Sequence, residues 1–206
     1  MNKADYATEI RSRVEKAKGG ALFVMVDMAD VAPNNAANRV MTRLVKEGVL
    51  RAIVRGVYQK PSFNRFLGEL EDPSADDLAR ALARKNGWAI RPDGDTALNL
   101  LGLSTQVPSN WSYVSDGPYK TYAYGNGKII FKHTANRLIG RLSWESALFV
   151  QALRALGEAN VDCAILKGLA ARFSTDQLVK IESETRATPD WIHALAVSLK
   201  EQSYAI

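Results

Sequence analysis

The strongest constraint in this sequence is a run at 35–47 whose two sides differ in kind. At about 100° per residue, Ala37, Val40, Met41, Leu44 and Val45 fall on one side. Asn35, Asn38, Arg39, Thr42, Arg43 and Lys46 fall on the other. Pro33 interrupts whatever precedes the run, and Asn34 is a natural N-cap. Gly48 supplies the left-handed residue with which such a helix ends. The spacing predicts a helix with one buried and one exposed side. An apolar stripe of this kind is stable only against other elements.

The flanks supply those elements. Residues 2–18 place Tyr6, Ile10 and Val14 on one thin apolar stripe, and Gly19-Gly20 closes that helix. The run 21–26 is short, apolar and β-prone. Asp27 is placed to cap a short helix through Val31 or Ala32. After Gly48, two β-like runs at 49–54 and 57–60 flank Arg55-Gly56, a hairpin turn with Gly56 suited to positive φ. Val49, Leu50, Ile53, Val57 and Tyr58 are the hairpin positions expected to bury against the helices. Helix, strand, helix, turn, helix, hairpin is the element order of a winged helix-turn-helix, assigned to 1–61.

Residues 62–73 read as a linker with a little local helix around 63–70. Beyond it, 74–206 reads as a mixed α+β domain. A helix with Leu78, Ala79 and Leu82 on its apolar side comes first, then a short strand at 88–90 and a helix at 95–101. Strands follow over 111–132, with turns at Asp116-Gly117-Pro118 and at Asn126-Gly127, the latter a hairpin signal. Four helical runs at 144–156, 164–173, 175–186 and 189–201 close the chain. The fold class is therefore α+β: an N-terminal winged helix, then a domain with antiparallel hairpins and a helical C-terminus.

Charge separates the two parts. The net charge is +5, yet residues 1–61 hold 11 basic and 6 acidic side chains, while 62–206 hold 16 of each. The whole excess lies in the winged-helix segment, the pattern of a basic module that seeks a polyanion. The exposed side of the 35–47 helix is free of carboxylates except Glu47 at its end. A helix in the major groove must keep carboxylates away from phosphates. It also needs planar amides for adenine edges and guanidinium forks for guanine edges. Asn38, Arg39 and Thr42 are thus the candidate base readers, with Arg43 and Lys46 reaching phosphates, and Asn34 and Asn35 at the start of the helix complete the candidate DNA-binding set. Arg51, Arg55 and Lys60 put cations on the wing, where they can touch backbone or minor groove.

The stretch NRVMTRLVKEGVLRAIVRGVYQKP resembles the N-terminal winged helix of AbiEi-type antitoxins of bacterial type IV toxin–antitoxin systems. Arg43-Leu44, Gly48, Leu50, Gly56 and Tyr58 carry the match. The blocks ALNLLGLSTQVPSNWSYVSDGPYK and KIIFKHTANRL resemble the second domain of short proteins of that architecture. The resemblance implies binding to double-stranded operator DNA upstream of its own operon and repression of that operon. It also implies an antitoxin role for the C-terminal domain, with a nucleotidyltransferase-like toxin as the usual partner. Repeated half-sites would call for a homodimer or cooperative binding, although no heptads show how. Two further readings stay open: a module that neutralises a toxin by direct contact, and a nucleic-acid-processing enzyme that docks through its winged helix.

Features of enzymes are sparse. His133 and His193 have no metal-ligand spacing, and His133 after an apolar strand reads as a satisfied structural histidine. Lys167-Gly168 lacks the upstream glycine of a phosphate loop. Asp116-Gly117 is a turn pair, and Ser104-Thr105-Gln106 a polar loop. Cys163, beside Val161 and Ala164, is expected as a small core residue, and Trp88, Trp111, Trp144 and Trp191 as packing residues. The expectation is a non-enzymatic cytoplasmic protein with no catalytic residues, metal or cofactor. One cysteine, no signal-like N-terminus and no long apolar run agree with a reducing compartment and no membrane.

Overall fold

The computed structural model describes residues 3–66, 68–104, 106, 108–125, 127–134 and 140–204. It divides into two compact units, Met1–Trp88 and Ala89–Ile206.

The first unit runs α1 (Lys3–Lys16), β1 (Leu22–Val24), a 3-10 helix (Met25–Met28), α2 (Asn34–Lys46), β2 (Arg51–Val54) and β3 (Val57–Gln59). The strands form an antiparallel sheet in the order β1-β3-β2. This is the winged helix-turn-helix order. Ile10 and Val14 of α1 are fully buried, as are Ala37, Met41 and Leu44 of α2, and Phe23, Met28 and Leu50 join them in one core. Each of the larger of these side chains contributes roughly 1.5–3 kcal/mol on burial, which offsets the modest intrinsic stability of short helices.

The middle of this motif differs from the expectation. Asp27 is not the N-cap: it is the third residue of the 3-10 helix, and its carboxylate reaches back to accept from the Val24 N–H at 2.9 Å. The short helix expected through Val31 or Ala32 is reduced to this 3-10 helix and the turns after it. Arg13 of α1 fixes the segment, donating to both Asp30 carboxylate oxygens at 2.8 and 2.6 Å and to the Asp27 carbonyl at 2.7 Å.

Residues 62–73 are not a helical linker. A two-stranded antiparallel pair forms there, β4 (Phe63–Asn64) with β5 (Glu69–Leu70), Phe63 opposite Leu70. Next comes α3 (Ala75–Asn86), capped by Ser74, whose hydroxyl accepts from the Asp77 N–H at 3.0 Å. Leu78, Ala79 and Leu82 are fully buried, as their spacing predicts. Arg84 donates to the Leu22 carbonyl at 3.2 Å and pairs with Asp27 at 3.3 Å, and Lys85 donates to the Arg55 carbonyl at 2.5 Å. These bonds tie α3 to the winged-helix sheet. The boundary therefore falls after Trp88 rather than before Ser74.

The second unit holds β6 (Ile90–Pro92), α4 (Asp95–Leu100), β7 (Asn110–Ser115), β8 (Lys120–Tyr124) and β9 (Gly127–His133). Then come α5 (Trp144–Leu156), α6 (Cys163–Ala170), α7 (Thr175–Glu184) and α8 (Asp190–Ser203), with 3-10 helices at Glu158–Asn160 and Thr185–Ala187. The sheet order is β6-β7-β9-β8. The β8–β9 hairpin forms, but Gly127 is already in β9 opposite Tyr124, and the positive φ sits at Gly125 (+53°). Asn126 lies outside the described residues, as do Thr105 and 135–138 of the KIIFKHTANRL block. Gly127 is needed for space: a Cβ there would stand 1.9 Å from the Ser109 carbonyl oxygen. The turn at Asp116-Gly117-Pro118 joins strands that are not neighbours, because β9 inserts between them and runs parallel to β7. Tyr113, Ile129 and Phe131 bury in the sheet, and Phe149, Leu153, Leu169, Ile181 and Ile192 in the helical core. Cys163 is exposed at the start of α6 rather than in that core. Trp88, Trp111, Trp144 and Trp191 are each half-buried.

Candidate nucleic-acid interface

The two ends of helix α2 are finished differently. Its N-cap position is Pro33, which offers no capping side chain, so Asn34 is the first helical residue and not the cap. The Ala36 and Ala37 N–H groups donate to the Pro33 carbonyl at 2.9 and 3.0 Å. The first turn contains no acidic residue. An uncapped N-terminus of this kind favours an anion, because its leading N–H groups lack intrahelical acceptors. At the other end Gly48 adopts φ +74°, its N–H reaches the Val45 carbonyl at 3.1 Å, and the Val49 N–H reaches Leu44 at 3.0 Å. That paired geometry is a Schellman motif and turns the chain into the hairpin.

The side facing solvent carries every α2 residue expected to touch DNA. Asn34, Asn35, Asn38, Arg39, Thr42, Arg43 and Lys46 are all exposed, while Ala37, Val40, Met41 and Leu44 are buried. Asn38, Arg39, Thr42, Arg43 and Lys46 together line a shallow depression of about 290 Å³. The Thr42 hydroxyl donates to the Asn38 carbonyl one turn back at 2.8 Å, which restrains its rotamer. The nearest carboxylate, Glu47, is neutralised locally: Arg43 lies 3.6 Å away, and Arg11 of α1 forms a close ion pair with it. Arg11 was not legible as part of this site, because its partner is distant in sequence.

The hairpin behaves differently. Arg55 is exposed at the tip beside Gly56, which adopts φ +78°. Arg51, by contrast, spends its guanidinium on Gln59 Oε1 at 2.7 Å, the Glu71 carbonyl at 2.5 Å and Asp72 at 2.7 Å. The Lys60 ammonium donates to the carbonyls of Glu15 and Ala17 at 2.6 and 2.7 Å, at the C-terminal end of α1. These two cations hold the base of the hairpin to its surroundings, whereas the α2 side chains face solvent.

Other candidates are structural. Asp116 accepts from the Ala89 N–H at 2.8 Å, and His133 Nδ1 lies 2.9 Å from the Gly117 carbonyl. His193 Nδ1 lies 3.2 Å from the Thr185 hydroxyl. Among the described residues no three His, Cys, Asp or Glu side chains converge as metal ligands, and no helix is long and apolar enough to cross a membrane.

No curated protein matches the chain significantly. The crystal structure of the RV2827C protein from Mycobacterium tuberculosis aligns with 96% of this chain and 77% of its own, at 16% identity and a TM-score of 0.41. A family model does match, over residues 9–177, which takes in the winged helix, the sheet of the second unit and α5 and α6. The chain belongs to that family, the family of unknown function DUF6088.

Proposed function

We propose that the chain is a sequence-specific DNA-binding repressor that acts as the antitoxin of a cytoplasmic toxin–antitoxin operon and represses its own promoter. The observation that carries the DNA part is the outer side of α2: amides, a hydroxyl and three cations, all exposed, with no carboxylate before Glu47. Asn38, Arg39 and Thr42 read base edges in the major groove. Arg43 and Lys46 hold phosphates, the uncapped N-terminus at Asn34 and Asn35 meets another, and Arg55 at the wing tip reaches the neighbouring groove. The antitoxin part rests on the resemblance to AbiEi-type proteins.

Electrophoretic mobility shifts against the DNA upstream of the chain's own gene test the reading, with a scrambled duplex as competitor. Retardation of the upstream duplex that survives the competitor is expected. Equal affinity for both duplexes removes the repressor reading.

A second role for Ala89–Ile206 is contact with a nucleotidyltransferase-like toxin. Its 12 basic and 11 acidic side chains are nearly balanced, which favours a protein surface over a nucleic-acid one. Co-expression of the toxin with the chain carrying R39A and R43A separates the roles. Rescue by that variant supports neutralisation by contact, and failure to rescue supports repression alone.

A further inference from the structure

The second unit contains a cavity of about 330 Å³ that the DNA reading does not use. That volume lies within the range of small-molecule sites, roughly 300–1,000 Å³. Val114 near the end of β7 and Thr134 just after β9 line one side, so the cavity opens at the carboxyl ends of the parallel strand pair. Gln151 and Arg154 of α5 also line it.

The rim is braced. Arg91 donates twice to the Leu142 carbonyl, at 3.1 and 2.6 Å. The next residue, Ser143, gives its N–H to Glu184 of α7 at 2.7 Å and caps α5 through its hydroxyl. The segment that carries Arg141 is thereby held from the sheet and from α7 together.

The charges in this cavity are unevenly used. Glu184 is committed to the start of α5: burial pushes its carboxyl up, but bonds from the Ser143 N–H and from the Ser146 and Ser143 hydroxyls, with nearby Lys180, bring it below the ordinary range. Arg141 and Arg154 have no ion pair or hydrogen-bond partner among the described residues. Among the described residues these two guanidiniums share the cavity lining with the apolar Val114, Leu142 and Val150 and with one carboxylate, Glu184. Guanidinium forks match phosphate oxygens, and the apolar lining suits a planar ring.

We propose that this cavity binds a small phosphorylated ligand of nucleoside monophosphate size, phosphate on Arg141 and Arg154 and ring against the apolar lining. The site is independent of the DNA reading, since it lies wholly within Ala89–Ile206.

Isothermal titration calorimetry of the full chain tests it, with AMP, GMP, CMP and UMP as probes against inorganic phosphate and adenosine. At least one monophosphate should bind about tenfold or more tightly than either fragment, because only it engages both the guanidiniums and the apolar lining. R154A and R141A should each weaken that binding about tenfold or more. R186A, at an exposed arginine outside the cavity, should leave it unchanged. All these arginines are on the surface, and circular dichroism checks that each variant is folded. The proposal is overturned by no monophosphate binding below about 1 mM, a weak limit on the affinity scale. It is equally overturned if inorganic phosphate binds as tightly, or if folded R154A and R141A bind as the wild type does.

Discussion

The outer side of α2 and the base of the β2–β3 hairpin carry similar numbers of cations but use them in opposite ways. On α2, Arg39 and Lys46 point to solvent, and Arg43 keeps 54% of its side chain exposed with only a 3.6 Å contact to Glu47. At the hairpin base, Arg51 is 26% exposed and holds three partners, and Lys60 closes the end of α1. Position on a motif therefore does not make a cation available to DNA. What decides is whether backbone carbonyls already occupy its donors. A carbonyl-bound ammonium or guanidinium must lose those charge-assisted bonds before it can meet a phosphate.

The largest expected effect breaks the comparison from the α2 side. The double variant R39A/R43A should lose about 100-fold or more in affinity for the cognate duplex, on the scale of one or two guanidinium contacts. Its thermal stability should change little, because both side chains are exposed and neither packs in the core. Fluorescence anisotropy and calorimetric melting give the two readings.

The reverse dissociation is expected at the hairpin base. K60M and R51M should each lower unfolding free energy by about 1–2 kcal/mol in urea titrations, by stripping charged donors from backbone carbonyls. Affinity for DNA, measured where the variants are folded, should stay within about twofold of wild type, well under the 1.4 kcal/mol that a tenfold change represents. A large loss of affinity with unchanged stability would return Arg51 and Lys60 to the interface.

The α2 side was legible because a helix projects its period directly: every third or fourth apolar residue defines a buried stripe, and the rest is exposed by subtraction. The hairpin base was not, because the partners of Arg51 and Lys60 come from 71–72 and 15–17, and no local pattern announces a pairing across such gaps. The same cause hid the attachment of α3. Its apolar side was visible in Leu78, Ala79 and Leu82, but not the bonds from Arg84 to Leu22 and Asp27 that assign it to the first unit. In the second unit, strand positions were readable from alternation and turns, whereas the parallel pairing of β7 with β9 was not, since adjacency of turns favours hairpins. Cys163 illustrates a composition prior overruled by position: it follows the capping residue Asp162, so its side chain lies on an exposed first turn.

A smaller effect sharpens the contrast within the first unit. The Arg13 hydrogen bonds hold the Asp30 carboxyl below its usual value. A depressed folded-state value means that the stabilisation is present above the ordinary aspartate range and is lost as the pH falls through the folded value. D30N should therefore melt below wild type at neutral pH, with the gap closing as the pH drops below about 4. A gap that persists at low pH would show that packing, and not the charge of Asp30, fixes the turn before α2.

The most direct measurement is the salt dependence of affinity for the cognate duplex. The slope of log affinity against log salt falls by about one unit for each phosphate contact removed. K46A should lower the slope by about one, and K60M should leave it unchanged. Equal slopes for wild type and K46A, or a slope reduced in K60M, would contradict the claim that the exposed α2 side, and not the hairpin base, carries the phosphate contacts.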